Sequence, residues 1–173
     1  MGEPMAAWVE VWPLAADDNG IWLVSGGDAW RGIVPIPADS DPLFEVKLLV
    51  SMHDPKMQLD LIHSTSWRVD GQSILLTWVG IARVDNLVID QWPNALPVTA
   101  KLFEKVGNPI THAANEPPTP RDIDVLMHAI RHLRFLRDTD ESAREVMTEA
   151  WLRHLASWEP ALSGMYSESH KIS

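Results

Sequence analysis

Two histidines and an aspartate recur at four-residue intervals in the last third of the chain. Asp124, His128 and His132 would lie in one row on a helix, because each step of four residues moves only slightly around the axis. Imidazole and carboxylate groups in such a row can bind a divalent transition metal. These three residues are our metal-ligand candidates, with His112 or Glu116 as the nearest source of a fourth ligand. The alternative is a solvated helix face with Asp–His pairing.

Arginines recur at three-residue intervals on the same segment, at Arg131, Arg134 and Arg137. The planar arginine fork suits bidentate contacts with phosphate or carboxylate groups. Together with Arg121, the row could bind a phosphate or an acidic partner, and Arg131 and Arg134 are our ligand-binding candidates there. The alternative is a solvated face, on which the helix dipole favours arginines near the C-terminus.

A third group surrounds a predicted β-hairpin and consists of His63, Trp67, Arg68 and Trp78. A polar strand face with tryptophans nearby can line a groove for a small molecule, so these four residues are also ligand-binding candidates. The alternative is structural, with His63 bonded to the backbone inside the core and packed on Trp78.

Familiar catalytic motifs are absent from the sequence. No serine lies in a G-x-S-x-G elbow, and Gly26-Gly27 lacks both the P-loop and the dinucleotide-binding pattern. The chain has no cysteine, which excludes thiolate zinc sites, disulfides and cysteine nucleophiles. No catalytic residue is therefore assigned.

The segment 59–84 contains the clearest element that could position these side chains. Asp70-Gly71 separates two strand-like runs, and this dipeptide is typical of a two-residue hairpin turn, which needs positive φ angles. The predicted cross-strand pairs are Trp67 with Ile74, Thr65 with Leu76 and His63 with Trp78. One face of the first strand would carry Leu59, Leu61, His63, Thr65 and Trp67. The second strand, 74–81, is apolar on both faces, which predicts a central strand covered by helices on both sides.

The remaining pattern predicts an α+β (or α/β) single domain with a mixed sheet, a flanking helix and a C-terminal antiparallel helical pair. Residues 1–107 would hold the sheet, 119–160 the helical pair, and 167–173 a frayed tail. The first predicted elements are a strand over 8–12 ended by Pro13, strands over 21–24 and 30–36, and a helix over 41–53 capped by Asp41, for which Val46, Leu49 and Val50 leave a strand as the alternative. The later elements are a loop over 91–99, a short helix over 99–106, a proline-rich loop over 108–120, a helix begun by Thr119 and Pro120, a break with a new cap over 138–141, and a second helix ended by Pro160.

Composition narrows the possible partners. The chain has 173 residues, nine tryptophans and a formal charge of −10. An acidic protein repels phosphate backbones, which argues against general nucleic-acid binding and leaves a small molecule or a protein as partner, with an oligomer as a further option. No apolar run approaches the length of a membrane span, and the N-terminus lacks the pattern of a secretory signal. We therefore expect a cytoplasmic location.

The order of elements through residue 84 (strands, a helix after a glycine-bearing loop, then a hairpin) resembles the Nudix fold. The segment HSTSWRVDGQSILLTWVGIARV is similar to the strands that follow the Nudix helix. The metal-binding box of that family, G-x5-E-x7-R-E-U-x-E-E-x-G-U, is absent. The run 144–149, REVMTE, mimics its centre but has Thr148 in place of a glutamate. The resemblance implies that metal-dependent pyrophosphate hydrolysis is lost and that ligand or partner recognition remains.

Three functional hypotheses follow. The first is a non-catalytic ligand- or protein-binding module, which an exposed patch at Trp8, Trp30 or Trp92 would favour. The second is a hydrolase or other enzyme using a His/Asp site, with or without a metal, and it requires these groups within one pocket. The third is a structural or assembly subunit, whose Trp- and Pro-rich surface would be buried in an oligomer.

Overall fold

The computed structural model describes residues 5–99 and 122–162. Within these ranges a six-stranded mixed sheet is flanked by five helices, so the protein is α+β, as the sequence predicts. The strands are β1 (Ala6–Asp17), β2 (Gly20–Leu23), β3 (Trp30–Arg31), β4 (Leu59–Asp70), β5 (Ser73–Ala82) and β6 (Leu96–Val98). The helices are α1 (Pro42–His53), α2 (Val88–Gln91), α3 (Asp122–Thr139), α4 (Glu141–Val146) and α5 (Glu149–Leu155).

The long strand β1 organises the sheet, whose order is β4-β5-β1-β2-β6. β1 runs parallel to β5 on one edge, and antiparallel to β3 and then to β2 on the other. The prediction that this strand ends at Pro13 is wrong. The Pro13 carbonyl accepts from the amide of Val24, just past the end of β2. The missing N–H of the proline points to the same edge, where the β1–β5 ladder does not need it.

Helices cover the sheet on both faces. On one face, β1 residues such as Val9 and Val11 pack against Val46, Leu49 and Val50 of α1. On the other face, Trp12 and Leu14 belong to the core formed with α3, α4 and α5. The prediction that the second hairpin strand is central is confirmed, because β5 lies between β4 and β1 and contributes to both cores.

Helix α1 begins as its sequence predicts. Asp41 is the N-cap, and its carboxylate accepts a hydrogen bond from the amide of Leu43 at 2.9 Å. Pro42 occupies the first turn, where its missing N–H costs nothing. Phe44, Leu48 and Met52 lie on the solvent side of this helix and are exposed.

The hairpin is present, but its predicted register is wrong. Asp70 pairs with Ser73, so the turn residues are Gly71 and Gln72, with Gly71 at a φ of +61°. Trp67 therefore faces Leu76 rather than Ile74. Irregularities between Leu59 and Leu61 and between Ser64 and Ser66 shift the pairing further along the strand.

Three other predicted segments differ from the structure. The predicted strand over 30–36 is limited to the two residues of β3. The predicted loop over 91–99 contains the end of α2 and strand β6, which pairs with β2 at the border of the sheet, where Pro97 is tolerated. The predicted second C-terminal helix is two short helices. Asp140 caps α4 as expected, but Thr148 provides a new N-cap whose hydroxyl accepts from the amide of Trp151, so the helix is interrupted at Met147.

Some predictions fall outside the described residues, namely most of the short helix over 99–106, the loop over 108–120 with its fourth-ligand candidates, the helix start at Thr119 and Pro120, and the tail over 167–173. Over the part of the chain that the structure describes, no helix has both the length and the hydropathy needed to cross a membrane.

Candidate functional site

The hairpin does not bring its four predicted ligand-binding residues together. The shift in pairing between Ser64 and Ser66 changes the face that the strand presents, so Trp67 lies opposite Leu76 on the α1 side of the sheet. Trp78 packs on the same side, in the core around α1. His63 and Arg68 lie on the opposite side, facing α3. A single groove lined by all four side chains is therefore not formed.

Trp67 is the most exposed tryptophan among the described residues, with 66% of its surface accessible. Its cross-strand partner Leu76 is half-buried, and the next pair along the ribbon is Val69 with Ile74, of which Val69 is 54% exposed. These four residues form one apolar surface, which we call the hairpin patch. Trp67 and Val69 of the patch belong to β4. Within residues 5–99 and 122–162 this strand pairs only with β5, so it is a border strand of the sheet there.

Trp8, Trp30 and Trp92, whose exposure would favour a binding module, are all half-buried. Trp30 stacks on the imidazole of His53, with ring centroids 4.6 Å apart and nearly parallel planes. The indole N–H of Trp92 donates to Asp54 at 2.9 Å. These contacts give Trp30 and Trp92 structural roles, whereas Trp8 lines a cleft described below.

Arg68 is held by a buried carboxylate on the central strand. Glu10 is fully buried, and its two carboxylate oxygens accept from the Nη1 and Nη2 atoms of Arg68, the second at 3.1 Å. The hydroxyl of Thr77 donates to Glu10 at 2.7 Å and accepts from Arg68 at 2.9 Å. Burial of a carboxylate requires such pairing, so this arginine is occupied inside the protein.

Arg31 extends the same ion network to the surface. Its guanidinium lies 3.2 Å from Glu10, 3.6 Å from Asp70 and 3.3 Å from Asp122 at the first residue of α3. Beside this network is a cleft of about 260 Å³. The cleft is lined by Trp8, Arg31, Gly32, Asp70, Ser73 and Leu75. Glu10 and Arg31 are not among the residues that the sequence predicts for a site; the one signal in the sequence is a lone glutamate inside the apolar run WVEVW.

The row of metal-ligand candidates on α3 faces the sheet rather than solvent. Asp124 and His132 are buried and His128 is half-buried, so the solvated-face alternative is wrong. The ring of His132 meets His63 of β4 with centroids 4.8 Å apart and His128 with centroids 6.3 Å apart. Nε2 of His128 and Nδ1 of His132 are buried without a hydrogen-bond partner among the described residues.

All three imidazoles favour the neutral form. Burial lowers the pKa of His132 to about 4, and the nearby His63 and His128 add to this shift. Burial also lowers the pKa of His128, helped by the charge of Arg131 and opposed by a hydrogen bond to the backbone of Thr65. The pKa of His63 is lowered by burial, and the carboxylate of Asp140 partly offsets that shift. Neutral imidazole is also the form that binds metals.

Metal coordination receives no direct geometric support. Across residues 5–99 and 122–162, no group of three or more His, Asp or Glu side chains is arranged to hold a metal ion. His112 and Glu116, the fourth-ligand candidates, lie outside those ranges. The role of Asp124, His128 and His132 as metal ligands stays a prediction.

The arginine row on α3 contacts the C-terminal segment of its own chain. Nη1 of Arg134 donates to the carbonyls of Leu155, Ala156 and Trp158, at 3.0, 2.7 and 3.0 Å. Arg131 donates to the carbonyl of Glu159 at 3.2 Å. These carbonyls lie at or just after the last residue of α5, where the helix leaves carbonyls without intrahelical donors, and that of Leu155 also accepts from the amide of Trp158. Both candidates therefore hold the run after α5 against α3, which leaves less of each guanidinium for an external anion.

No protein-family model matches the chain, and the comparison with curated proteins finds no match either. The function must therefore be argued from the geometry of the molecule.

Proposed function

We propose that the protein is a non-catalytic protein-binding module, which docks an extended segment of a partner on the hairpin patch and along the adjoining border strand β4. The observation that carries this proposal is the exposure of Trp67 within a continuous apolar surface. A tryptophan that is 66% exposed beside Val69 at 54% leaves much apolar area in water, and such areas mark interaction sites when they are contiguous. Tryptophan is also the residue most enriched among energetic hot spots at interfaces.

The border position of β4 supports an extended partner. From Ser66 to Val69 the strand alternates between half-buried and exposed residues. An unpaired strand border offers backbone donors and acceptors that an added strand can satisfy, while pockets beside it select alternate side chains. The partner segment would therefore place apolar side chains at every second position, over Trp67 and Val69.

Charge favours a basic partner. Residues 5–99 carry 12 acidic and 5 basic side chains, a balance of −7. Three of the five basic residues, Arg31, Arg68 and Arg83, are paired with carboxylates of the same chain. A surface with this balance attracts positively charged partners and repels acidic ones, which raises the association rate with the former.

The experiment is site-specific photo-cross-linking in cells, followed by measurement with purified proteins. A photoreactive amino acid replaces Val69, and cross-linked proteins are identified by mass spectrometry. The affinity of the purified partner for the full chain is then measured with and without Trp67→Ala. Loss of a central aromatic contact should weaken binding by about tenfold or more.

Phe44→Ala provides the matched control, because Phe44 is 60% exposed but lies on the solvent side of α1. Binding should be unchanged in this variant. Equal affinities of the wild type and the Trp67→Ala variant would overturn the proposal. A cross-link to a second copy of the chain would instead support the assembly-subunit hypothesis, which sedimentation analysis at several concentrations would then test.

The Nudix resemblance stays a prediction, because no family model matches the chain. A degenerate Nudix-like domain is compatible with a binding role but is not needed for it. The enzyme hypothesis is less well supported, since the buried histidines face the interior and the ion network around Glu10 is satisfied within the protein. The cytoplasmic location also stays a prediction from the sequence.

A further inference from the structure

The cleft beside Arg31 lies on the face of the sheet opposite to the hairpin patch. Trp8 pairs with Leu75 on adjacent parallel strands, and both line the cleft. Asp70 and Ser73, the residues that flank the hairpin turn, add a carboxylate and a hydroxyl. An indole wall with a few convergent polar groups is the usual composition of a small-molecule site, and a volume of about 260 Å³ suits a ligand of one ring.

The charges around the cleft determine which ligands it can accept. Glu10, Asp70 and Asp122 are the carboxylates of the network, and Arg31 and Arg68 are its guanidiniums, which gives a net charge of −1. Arg31 reaches all three carboxylates and Arg68 is held by Glu10 and Thr77. No guanidinium of this network is therefore left without a carboxylate neighbour.

Asp70 is the acceptor that a ligand can reach. Its side chain is 56% exposed, and its only ion pair among the described residues is the contact of 3.6 Å with Arg31, which is longer than a direct hydrogen bond. Glu10, in contrast, is fully buried behind the network. An exposed carboxylate beside an indole ring can bind a cation through both a charged hydrogen bond and a cation–π contact.

We propose that this cleft binds a small organic cation, with an ammonium or amidinium group at Asp70 and an apolar or aromatic body against Trp8 and Leu75. An anion would have to displace a carboxylate from Arg31 and would then face the remaining ones. A neutral ligand would gain no charge–charge attraction to Asp70. The preference for a cation thus follows from the charge balance, and the preference for a flat body follows from the indole wall.

Three ring compounds of nearly the same shape separate these possibilities: benzamidine is cationic, benzamide neutral and benzoate anionic. Binding to the full-length protein is measured by calorimetry and by the NMR shift of the Trp8 indole N–H. Benzamidine should bind, and benzamide and benzoate should bind at least about tenfold more weakly, the difference that one charged contact makes. Benzamidine affinity should fall by about the same factor in Asp70→Asn.

The control is Asp85→Asn, which changes the net charge equally but alters an exposed aspartate away from the cleft. It should leave benzamidine affinity unchanged, and Trp8→Leu should weaken it. The urea midpoint of each variant shows whether it is folded. If Trp8→Leu does not fold, the comparison of Asp70→Asn with Asp85→Asn is sufficient to test the proposal. The proposal is overturned if benzamidine fails to bind in the millimolar range, if benzoate binds as well, or if Asp70→Asn and Asp85→Asn behave alike.

Discussion

The imidazole of His63 on β4 packs against the imidazole of His132 on α3, with ring centroids 4.8 Å apart and planes inclined by 59°. His128 approaches the same His132 ring edge-on. Three imidazoles thus meet between the sheet and the helix, where His132 is only 7% exposed. A proton on any of them would lose hydration and be repelled by a proton on the next, so the folded state favours the neutral rings.

Acidification should therefore destabilise the protein before its carboxylates titrate. The pKa of His132 is lowered from its usual 6.5 to about 4, so between these values the unfolded chain takes up a proton that the folded protein excludes. Stability is fully present above the unfolded pKa and falls as the pH drops towards the folded pKa. For His132 alone the loss is about 3 kcal/mol of unfolding free energy. Urea unfolding at several pH values between about 7 and 4 measures it.

The surrounding charges modify this profile without reversing it. Asp140 at the start of α4 favours the charged form of His63, whereas Arg131 of α3 opposes a charge on His128. Asp124 lies on the same row of α3 as His128 and His132. The residue paired with His63 across the strands is the uncharged Val79 of β5. His132→Leu should make the profile shallower over this range, leaving the contributions of His63 and His128, while His53→Gln, outside the cluster, should retain the wild-type slope. A His132→Leu profile that parallels the wild type would contradict the prediction.

Breaking the pair between Glu10 and Arg68 should be costly. Glu10→Gln leaves the largely buried guanidinium of Arg68, 12% exposed, with no carboxylate closer than Asp122 at 4.0 Å, and such losses amount to about 3 kcal/mol of unfolding free energy. Arg68→Met should cost less, because the buried carboxylate of Glu10 loses one guanidinium but keeps Arg31 at 3.2 Å and the hydroxyl of Thr77. Urea unfolding at neutral pH gives both values.

The double variant Glu10→Met with Arg68→Met tests whether the loss of stability comes from leaving one charge buried without its partner. Replacing both charges with apolar side chains of similar size should recover most of the lost stability, since neither charge is then buried alone. Arg83→Met is the control, because Arg83 pairs with Asp60 while 57% exposed, and its effect should be much smaller. Additive losses in the double variant would mean that the two residues stabilise the protein independently.

The sequence predicts the hairpin because Asp70-Gly71 is a local signal, but the register depends on interactions that are not local. A turn at Gly71 and Gln72 shifts every pair, and the irregularity between Ser64 and Ser66 moves Trp67 to the other face. Only the packing of both faces determines where a strand accommodates such a shift. The alternation of residue types therefore placed Trp67 beside His63, on the wrong face.

The candidate site shows the same limit. The helical spacing correctly places Asp124, His128 and His132 in one row, but it cannot determine whether that row faces water or the sheet. The buried arc of α3 includes Asp124 and His132 besides its apolar residues, and His63 of β4 packs against His132 there. Glu10 and Arg68 are separated by 58 positions in the sequence, and no local sequence pattern predicts such a contact.

Asp17 at the end of β1 should be a second source of acid sensitivity. Its carboxylate accepts from the amide of Val88 at 2.8 Å, the indole of Trp22 at 3.0 Å and the amide of Asn19 at 2.9 Å. Burial by itself raises the pKa of Asp17, but these hydrogen bonds outweigh it and lower the pKa below 3.8. The resulting stability is present above the unfolded pKa and is lost as the pH falls through the folded pKa.

Asp17→Asn should remove the acid-dependent part of the unfolding free energy that Asp17 contributes. It should also cost about 2 kcal/mol of unfolding free energy at neutral pH, because an amide has only one oxygen and cannot accept at both Oδ1 and Oδ2. Asp18→Asn is the control, since that neighbour is 89% exposed and contacts only Arg153 among the described residues. Urea unfolding at neutral pH and at about pH 3 separates the two variants. Equal losses in both would show that the hydrogen bonds of Asp17 contribute little.

Arg134 should act as a structural clamp rather than as an anion ligand. Arg134→Met leaves the carbonyls of Leu155, Ala156 and Trp158 without this donor, and we expect a loss of about 2 kcal/mol. Amide hydrogen exchange should accelerate over α5, because the run that follows it is no longer held against α3. Arg137→Met is the matched control, since Arg137 contacts only the adjacent Asp138 among the described residues. Unchanged exchange in the Arg134→Met variant, with weaker binding of inorganic phosphate, would instead restore the anion-binding interpretation of the arginine row.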